Sequence, residues 1–549
     1  MRRLAAAILF LLALAAPAAA KDELVIGITQ FPATFHPMID AMLAKSYILS
    51  AALRPFTYYD KDWKLRCMLC TELPTIENGK AKLETLADGK KGLAVTYTIQ
   101  PGATWGDGTP VTTDDVLFAW DVGKNPKTGV PEADPYLHVT KIDVIDKKTF
   151  TLHVDKVHFE YNAYFVFDPL PAHLDRKNFE ADPANYRRRT AYDTDTTNPG
   201  LYYGPYRIAQ VVPGSHVVLE PNPTWYGTKP YFKRVTIRVI ENTAALEANL
   251  LSGNIDYIAG ELGLSLDQGL TFEQRHADRF AVQYKAGLVY EHIDLNLDNP
   301  ILKDKRVRQA LLYGLDRETI SKQLFAGKQP VAQSFVSPLD WIATSNLPKY
   351  PYDPGRAASL LDAAGWSEMK NGVRVDAAGE PLRLELMTTA GNRTRETVEL
   401  VLQSQWKKIG VDIRIRNEPA RVFSGQTLRQ RGFSAMAMYA WISSPENVPR
   451  SILSSNSIPS AANNQTGQNF TGFKNAEADS LLDKIEVQLD RQKRFALWQR
   501  LQEIYMDELP VLPLYFRADP FIIPKWLTGI EPTGHSGSTT LAIENWRAQ

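Results

Sequence analysis

The sequence predicts an α/β protein of two lobes, with a third, β-rich region inserted in the first lobe. Three observations lead there. Near the N-terminus, Leu24-Val25-Ile26-Gly27-Ile28 is almost continuously apolar, as in a strand covered on both faces. A strand–helix–strand pattern occurs twice, far apart, around residues 235–258 and 382–415. Between about Leu53 and Asp195 the texture changes to strand-like pieces separated by Gly, Pro and Asp turns.

In chain order, Arg2 and Arg3 precede an apolar stretch from Leu4 to Ala16, followed by Ala18-Ala19-Ala20. The stretch is too short for a bilayer span of about 20 residues, and its flanks are those of a cleavable secretory signal peptide over residues 1–20. In the β-rich stretch, Ala94–Ile99, Lys141–Val144 and Thr149–Val154 read as strands. Thr112, with Asp115 three positions on, forms the pattern of a capping box ahead of Val116, Leu117, Phe118 and Trp120. Capping is preferred there over paired catalytic carboxylates. Val235, Ile237 and Val239 alternate, Asn242 caps a helix carrying Leu246 and Leu250, Gly253 stops it, and Ile255–Ile258 is the next strand. Short connections predict a parallel pair with a right-handed crossover. A helix from Val307 runs to Gly314, where Asp316 caps the next, and Asp353 with Pro354 opens another that ends at Gly365. Leu382, Leu384 and Leu386, then Val398, Val401 and Leu402, then Val411, Ile413 and Ile415 repeat the unit. The Ser/Asn-rich piece from Ser451 to Thr471 is the longest loop.

Composition excludes several functions. In 549 residues, 62 Lys and Arg balance 62 Asp and Glu without a basic run, so no nucleic-acid partner is expected. Two cysteines make no disulfide scaffold. Cys67 and Cys70 form C-x-x-C, which leaves a local disulfide, free thiols or a redox pair open. No phosphate loop, dinucleotide fingerprint, nucleophile elbow or H-E-x-x-H is present. The nearest histidine pair, His153 and His158, has the spacing of opposite strand faces, and no metal site is expected. The reading is therefore no cofactor, no catalysis, and a soluble exported protein that binds a small molecule in a cleft between lobes.

Several blocks in order resemble the family 5 extracellular solute-binding proteins, the oligopeptide- and dipeptide-binding components of ABC importers. They are Tyr97 to Val116 with its Gly106-Asp107-Gly108 turn, Gly204-Pro205-Tyr206, Asn222-Pro223 with Trp225-Tyr226, and Ser252-Gly253-Asn254-Ile255-Asp256. Asp304 to Leu311 with Asp316-Arg317, Tyr352-Asp353 to Gly365-Trp366, and Leu509-Pro510 with Pro513 complete the set. The resemblance implies a periplasmic binding protein fold, with residues 21–53, 196–283 and 510–549 in lobe I, 54–195 as its β-rich extra region, and 284–509 as lobe II. It also implies a periplasmic monomer that hands a peptide-like solute to an ABC permease and its ATPase. Other solutes considered are an oligosaccharide, an opine or another amino-containing compound; an exported hydrolase is the competing class.

Peptide-binding members tend to carry an aspartate shortly after a tryptophan in lobe II, where it pairs with the ligand's α-amino group. Here the stretch is Tyr439-Ala440-Trp441 to Glu446-Asn447, without an aspartate. The resemblance thus implies Trp441 and Glu446 as ligand-binding residues, with Phe118 and Phe35 facing them from lobe I. Core burial is the alternative for Trp441.

Overall fold

The computed structural model describes residues 21–131, 133–163, 167–463, 465, 467–535 and 537–549. The expected signal peptide lies outside them. Among the described residues no helix is long and apolar enough to cross a membrane.

The frame is one ten-stranded sheet. Its strands in chain order are β1 (Glu23–Ile28), β2 (Tyr206–Val212), β3 (His216–Pro221), β4 (Arg234–Val239), β5 (Tyr257–Ile258), β6 (Phe280–Leu295), β7 (Arg383–Met387), β8 (Asp412–Ile415), β9 (Met436–Ile442) and β10 (Val511–Pro524). Across the sheet they run β8-β7-β9-β6-β10-β5-β1-β4-β3-β2. The apolar N-terminal run became β1 because parallel neighbours lie on both sides, and Leu24, Ile26 and Ile28 are wholly buried.

The first strand–helix–strand unit needs one correction. β4 and β5 are parallel, but each pairs with β1, which lies between them. Periodicity reports strands and cannot count those that intervene. The helix Thr243–Leu251 crosses over β1 and packs so closely that a Cβ at Gly27 would come within 2.6 Å of Leu246. In the second unit β7 and β8 are direct parallel neighbours joined by the helix Arg393–Lys408, as expected.

Residues 81–154 contribute a separate antiparallel sheet of four strands, in the order Ala81–Thr85, Lys91–Thr98, Thr149–Val154, Val139–Val144. The capping box is present: the backbone N–H of Thr112 donates to Asp115 Oδ2 at 2.8 Å. The same carboxylate accepts from Ala172 N–H at 3.0 Å and Trp105 Nε1–H at 3.2 Å, which makes it structural.

Two large cores lie apart. One gathers Leu24, Trp105, Phe118, Ile237 and Trp546; the other gathers Ile293, Leu311, Leu361, Trp406, Trp498 and Leu512. The chain passes between them in β6 and β10, with 16 and 14 residues the longest strands among the described residues. They pair antiparallel almost throughout, but the register breaks between Ala286 and Tyr290. A break in the ladder leaves backbone groups unpaired and lets the strands bend there. Gly287 sits in the break, where a Cβ would lie 2.5 Å from the Gly534 carbonyl oxygen.

Candidate functional site

The two lobes meet in a cleft that holds two cavities. The first, of about 240 Å³, takes Pro37, Lys45, Tyr59, Asp168 and His535 from the first lobe and Ser444 and Pro445 from the second. The second, of about 310 Å³, takes His138, Lys156, His158 and Glu160 from the β-rich region and Asn447, Arg450 and Arg494 from the second lobe. Residues 444–450 thus reach both cavities from one loop that follows β9.

The first cavity has a built floor. Lys45 Nζ donates to the carbonyls of His36 at 2.9 Å, Pro37 at 3.0 Å, Ile39 at 2.6 Å and also Asp40, tying that loop into a fixed shape. Burial lowers the Lys45 amine to about 8. Beside it, burial pushes the Asp168 carboxyl up to about 7 against the pull of Lys45, and its Oδ1 makes no hydrogen bond.

Glu446 stands between the cavities. It is 5% exposed and has φ of +59°, the left-handed region that costs a residue with a Cβ about 1–2 kcal/mol. That turn aims its backbone N–H at Asp340 Oδ2, 2.7 Å away. Burial first, and the charge of Asp340 next, push the Glu446 carboxyl up to about 7, opposed by the Trp341 indole, Arg491 and Arg494. From the β-rich region, Glu160 is likewise pushed up to about 7 by burial and by Glu446. Phe159 next to it reaches the second lobe: its N–H donates to the Glu486 carbonyl at 3.0 Å, and the Arg494 guanidinium lies 4.0 Å from its ring centroid.

The four expected binding residues separate. Glu446 lines neither cavity itself; Pro445 before it lines the first and Asn447 after it the second. Trp441, on β9, is partly buried on a small cluster, stacked on Phe470 at 6.0 Å and edge-on to Tyr439 at 5.3 Å; it lines neither cavity. Phe118 and Phe35 do not face it. Phe118 is wholly buried against Phe179 and Tyr186, on the inner face of the capped helix Thr113–Lys124. Phe35 is 5% exposed, edge-on to Phe31, with its N–H donated to Asp193 at 2.9 Å. Both belong to the first core and line neither cavity. Cys67 and Cys70 are joined in a disulfide with Cα atoms 5.4 Å apart. Among the described residues no group of three or more His, Cys, Asp or Glu side chains is arranged to hold a metal ion.

This architecture of a shared sheet, two lobes and an interlobe cleft matches a known family. The family model for bacterial extracellular solute-binding proteins, family 5, matches residues 83–463. The chain belongs to that family. Among curated relatives, this family 5 protein is 26% identical over 476 residues to the oligopeptide-binding protein AppA of Bacillus subtilis, covering 84% of this chain and 82% of AppA. It is 24% identical to the periplasmic oligopeptide-binding protein OppA of Escherichia coli, over 83% of each chain. Among solved structures, the oligopeptide binding protein from Thermus thermophilus, complexed with a pentapeptide, superimposes with a TM-score of 0.68 at 30% identity, covering 96% of both chains.

Sequence reasoning missed much of this family 5 protein's cleft. Tyr59, Glu160, Asp168, Asp340, Trp341 and Arg494 come from five separate stretches, and none stands in a motif. The one available signal was local. Asp340-Trp341 and His158-Phe159-Glu160 each set a charged group beside a large aromatic, outside any periodic element.

Proposed function

We propose that the protein is the solute-receiving component of an ABC importer. It binds a peptide-like solute between its lobes, passes it to a membrane permease driven by its ATPase, and performs no chemistry on it. It works as a monomer in the periplasm after loss of residues 1–20. Lobe I comprises 21–53, 196–283 and 510–549 with 54–195 attached, and lobe II comprises 284–509. The observation that carries this reading is the match to oligopeptide-binding relatives over more than four fifths of both chains. The cleft agrees with it, since both of its cavities are lined from the two lobes together. Mass spectrometry of solute co-purified with the native protein tests the assignment: peptides support it, and an exclusively carbohydrate or metal-chelate ligand sinks it.

Two further results are expected. Because β6 and β10 are the strands that join the lobes, a ligand touching both lobes binds the closed form better and must populate it. Solution scattering should show a smaller radius of gyration with saturating ligand, and an unchanged radius counts against the hinge. Trp441→Ala should weaken ligand binding while costing less than the roughly 3–5 kcal/mol of a fully buried tryptophan, because the ring is only partly covered. Normal binding together with a full core-sized loss would place Trp441 outside the ligand's reach.

A further inference from the structure

Two helices of the second lobe, Ala476–Val487 and Arg491–Glu508, are joined by a short turn. Leu482 and Ile485 of the first and Trp498 and Leu501 of the second lie in that lobe's core, yet Leu489 in the turn packs against the core of the first lobe. The lobes therefore touch at a place outside the joining strands β6 and β10. The other side of this contact is a segment of the β-rich region. Asp155 N–H donates to the His138 carbonyl at 3.0 Å, Ile76 N–H to the Tyr161 hydroxyl at 3.2 Å, and Asn162 Nδ2–H to the Pro74 carbonyl at 2.8 Å. Both ends of the segment are thus pinned to their own region, and the residues between the anchors reach the second lobe.

Phe159 enters a socket there. Its N–H donates to the Glu486 carbonyl at 3.0 Å, its ring lies 6.2 Å from that of Trp341, and the Arg494 guanidinium sits 4.0 Å from its centroid. The walls of the socket are fixed by the second lobe's own contacts. Glu486 is paired with Arg450 at 2.8 Å, Trp341 is stacked on Phe495 at 6.3 Å with Arg491 3.8 Å from its centroid, and Arg494 donates to the Ile485 carbonyl. Arg494 is only 1% exposed, and a cation–ring contact strengthens when water is kept from the cation.

We propose that residues 157–160 form a latch, in which Phe159 plugs into the socket of Trp341, Arg494 and the Glu486 carbonyl and holds the lobes closed. The inference rests on the interlobe binding described above and gives the β-rich region a task, that of setting how readily the cleft opens. The plug can stay seated only while the lobes are together, so opening at β6 and β10 must part it whatever the solute. A contact made only in the closed form raises the closed fraction. Apparent affinity follows that fraction for every solute alike, so the latch tightens binding without choosing what is bound.

Spin-label distance measurement on the full mature protein, stripped of solute, tests this. One label goes on each side through Leu83→Cys in the β-rich region and Leu400→Cys in the second lobe, both more than half exposed; Cys67 and Cys70 are already joined to each other. The otherwise unchanged protein is expected to show a closed population without solute. Phe159→Ala keeps the backbone hydrogen bond and removes the ring, and should lower the ratio of closed to open molecules by about fivefold to thirtyfold. Phe159→Tyr keeps the ring and should keep the ratio. Because Phe159 is only partly buried and lies on a turn, these variants are expected to melt close to the wild type. Should Phe159→Ala fail to fold, Phe159→Leu, with apolar bulk but no ring face, takes its place and must also lower the ratio. Absence of a closed population before substitution, an unchanged ratio in the variant without a ring, or an equal fall in Phe159→Tyr overturns the latch. No solute enters the measurement, so the peptide reading stands or falls separately, on the co-purified solute.

Discussion

Glu291→Ala is expected to destabilise the protein by about 3–5 kcal/mol, the largest single loss of stability outside the apolar cores. Glu291 is wholly buried on β6 and is gripped from two sides. Arg395, from the helix Arg393–Lys408, binds one face, and Arg517 on β10 donates through Nε at 2.8 Å and Nη2 at 2.6 Å. Removing the carboxylate leaves Arg395, 9% exposed, with Thr389 Oγ1 at 3.1 Å as its remaining side-chain acceptor. A buried guanidinium robbed of its counter-charge is what makes breaking such a triad costly. Replacing Glu291, Arg395 and Arg517 together by Leu, Met and Met should recover most of the loss, because no buried charge is then left unpaired. Urea unfolding of the single and triple variants checks this, and a single-variant loss under about 1 kcal/mol would refute it.

Glu446→Gln should lower affinity for a peptide with a free amino terminus by about 2–5 kcal/mol, while leaving its N-acetylated counterpart nearly unaffected. The amide keeps the shape and removes the charge, so the ligand ammonium would enter a dry cleft without its partner. The same substitution changes the pH dependence of folding. A carboxyl pushed up to about 7 in the folded protein holds its proton where the unfolded chain has released it, so it favours the fold as pH falls from above 7 toward its ordinary value and penalises it above 7. Glu446→Gln should therefore raise the melting temperature at pH 8 and leave it nearly unchanged at pH 4. Equal loss of affinity for both peptide forms would mean that Glu446 supports the loop and does not meet the ligand.

The scaffold was legible because its signals are local. Alternation at Leu382, Leu384 and Leu386, or a capping Asp353 followed by Pro354, depends on neighbours within a few residues, and both elements formed where expected. Of the loop whose residues line the two cavities, the sequence singled out only Glu446, through a resemblance. Glu160, Asp340 and Arg494 come from stretches spread over more than three hundred residues of chain, and the charged-beside-aromatic pattern at two of them does not tell that tertiary packing brings them near one another. Phe118 is different, because the signal for its true place was present. Asp115, Phe118, Ala119 and Val122 recur at the spacing of one helical face, and all four are buried. An aromatic on that stripe belongs to the core.

The threading of β1 and β10 through one sheet fixes an order of assembly. The core of the second lobe draws on residues 293–515 and is complete while the C-terminal tail is still to come. The first lobe starts at Leu24 yet also needs Ile523, Ile543 and Trp546, and its seams join partners as distant as Tyr47 with Thr540 and Arg54 with Glu544. Contacts of such sequence separation form late, because the loops they close are long. A chain made or exported from its N-terminus thus begins with the lobe it finishes last, and the unpaired edge of β5 stays open to wrong partners until β10 arrives.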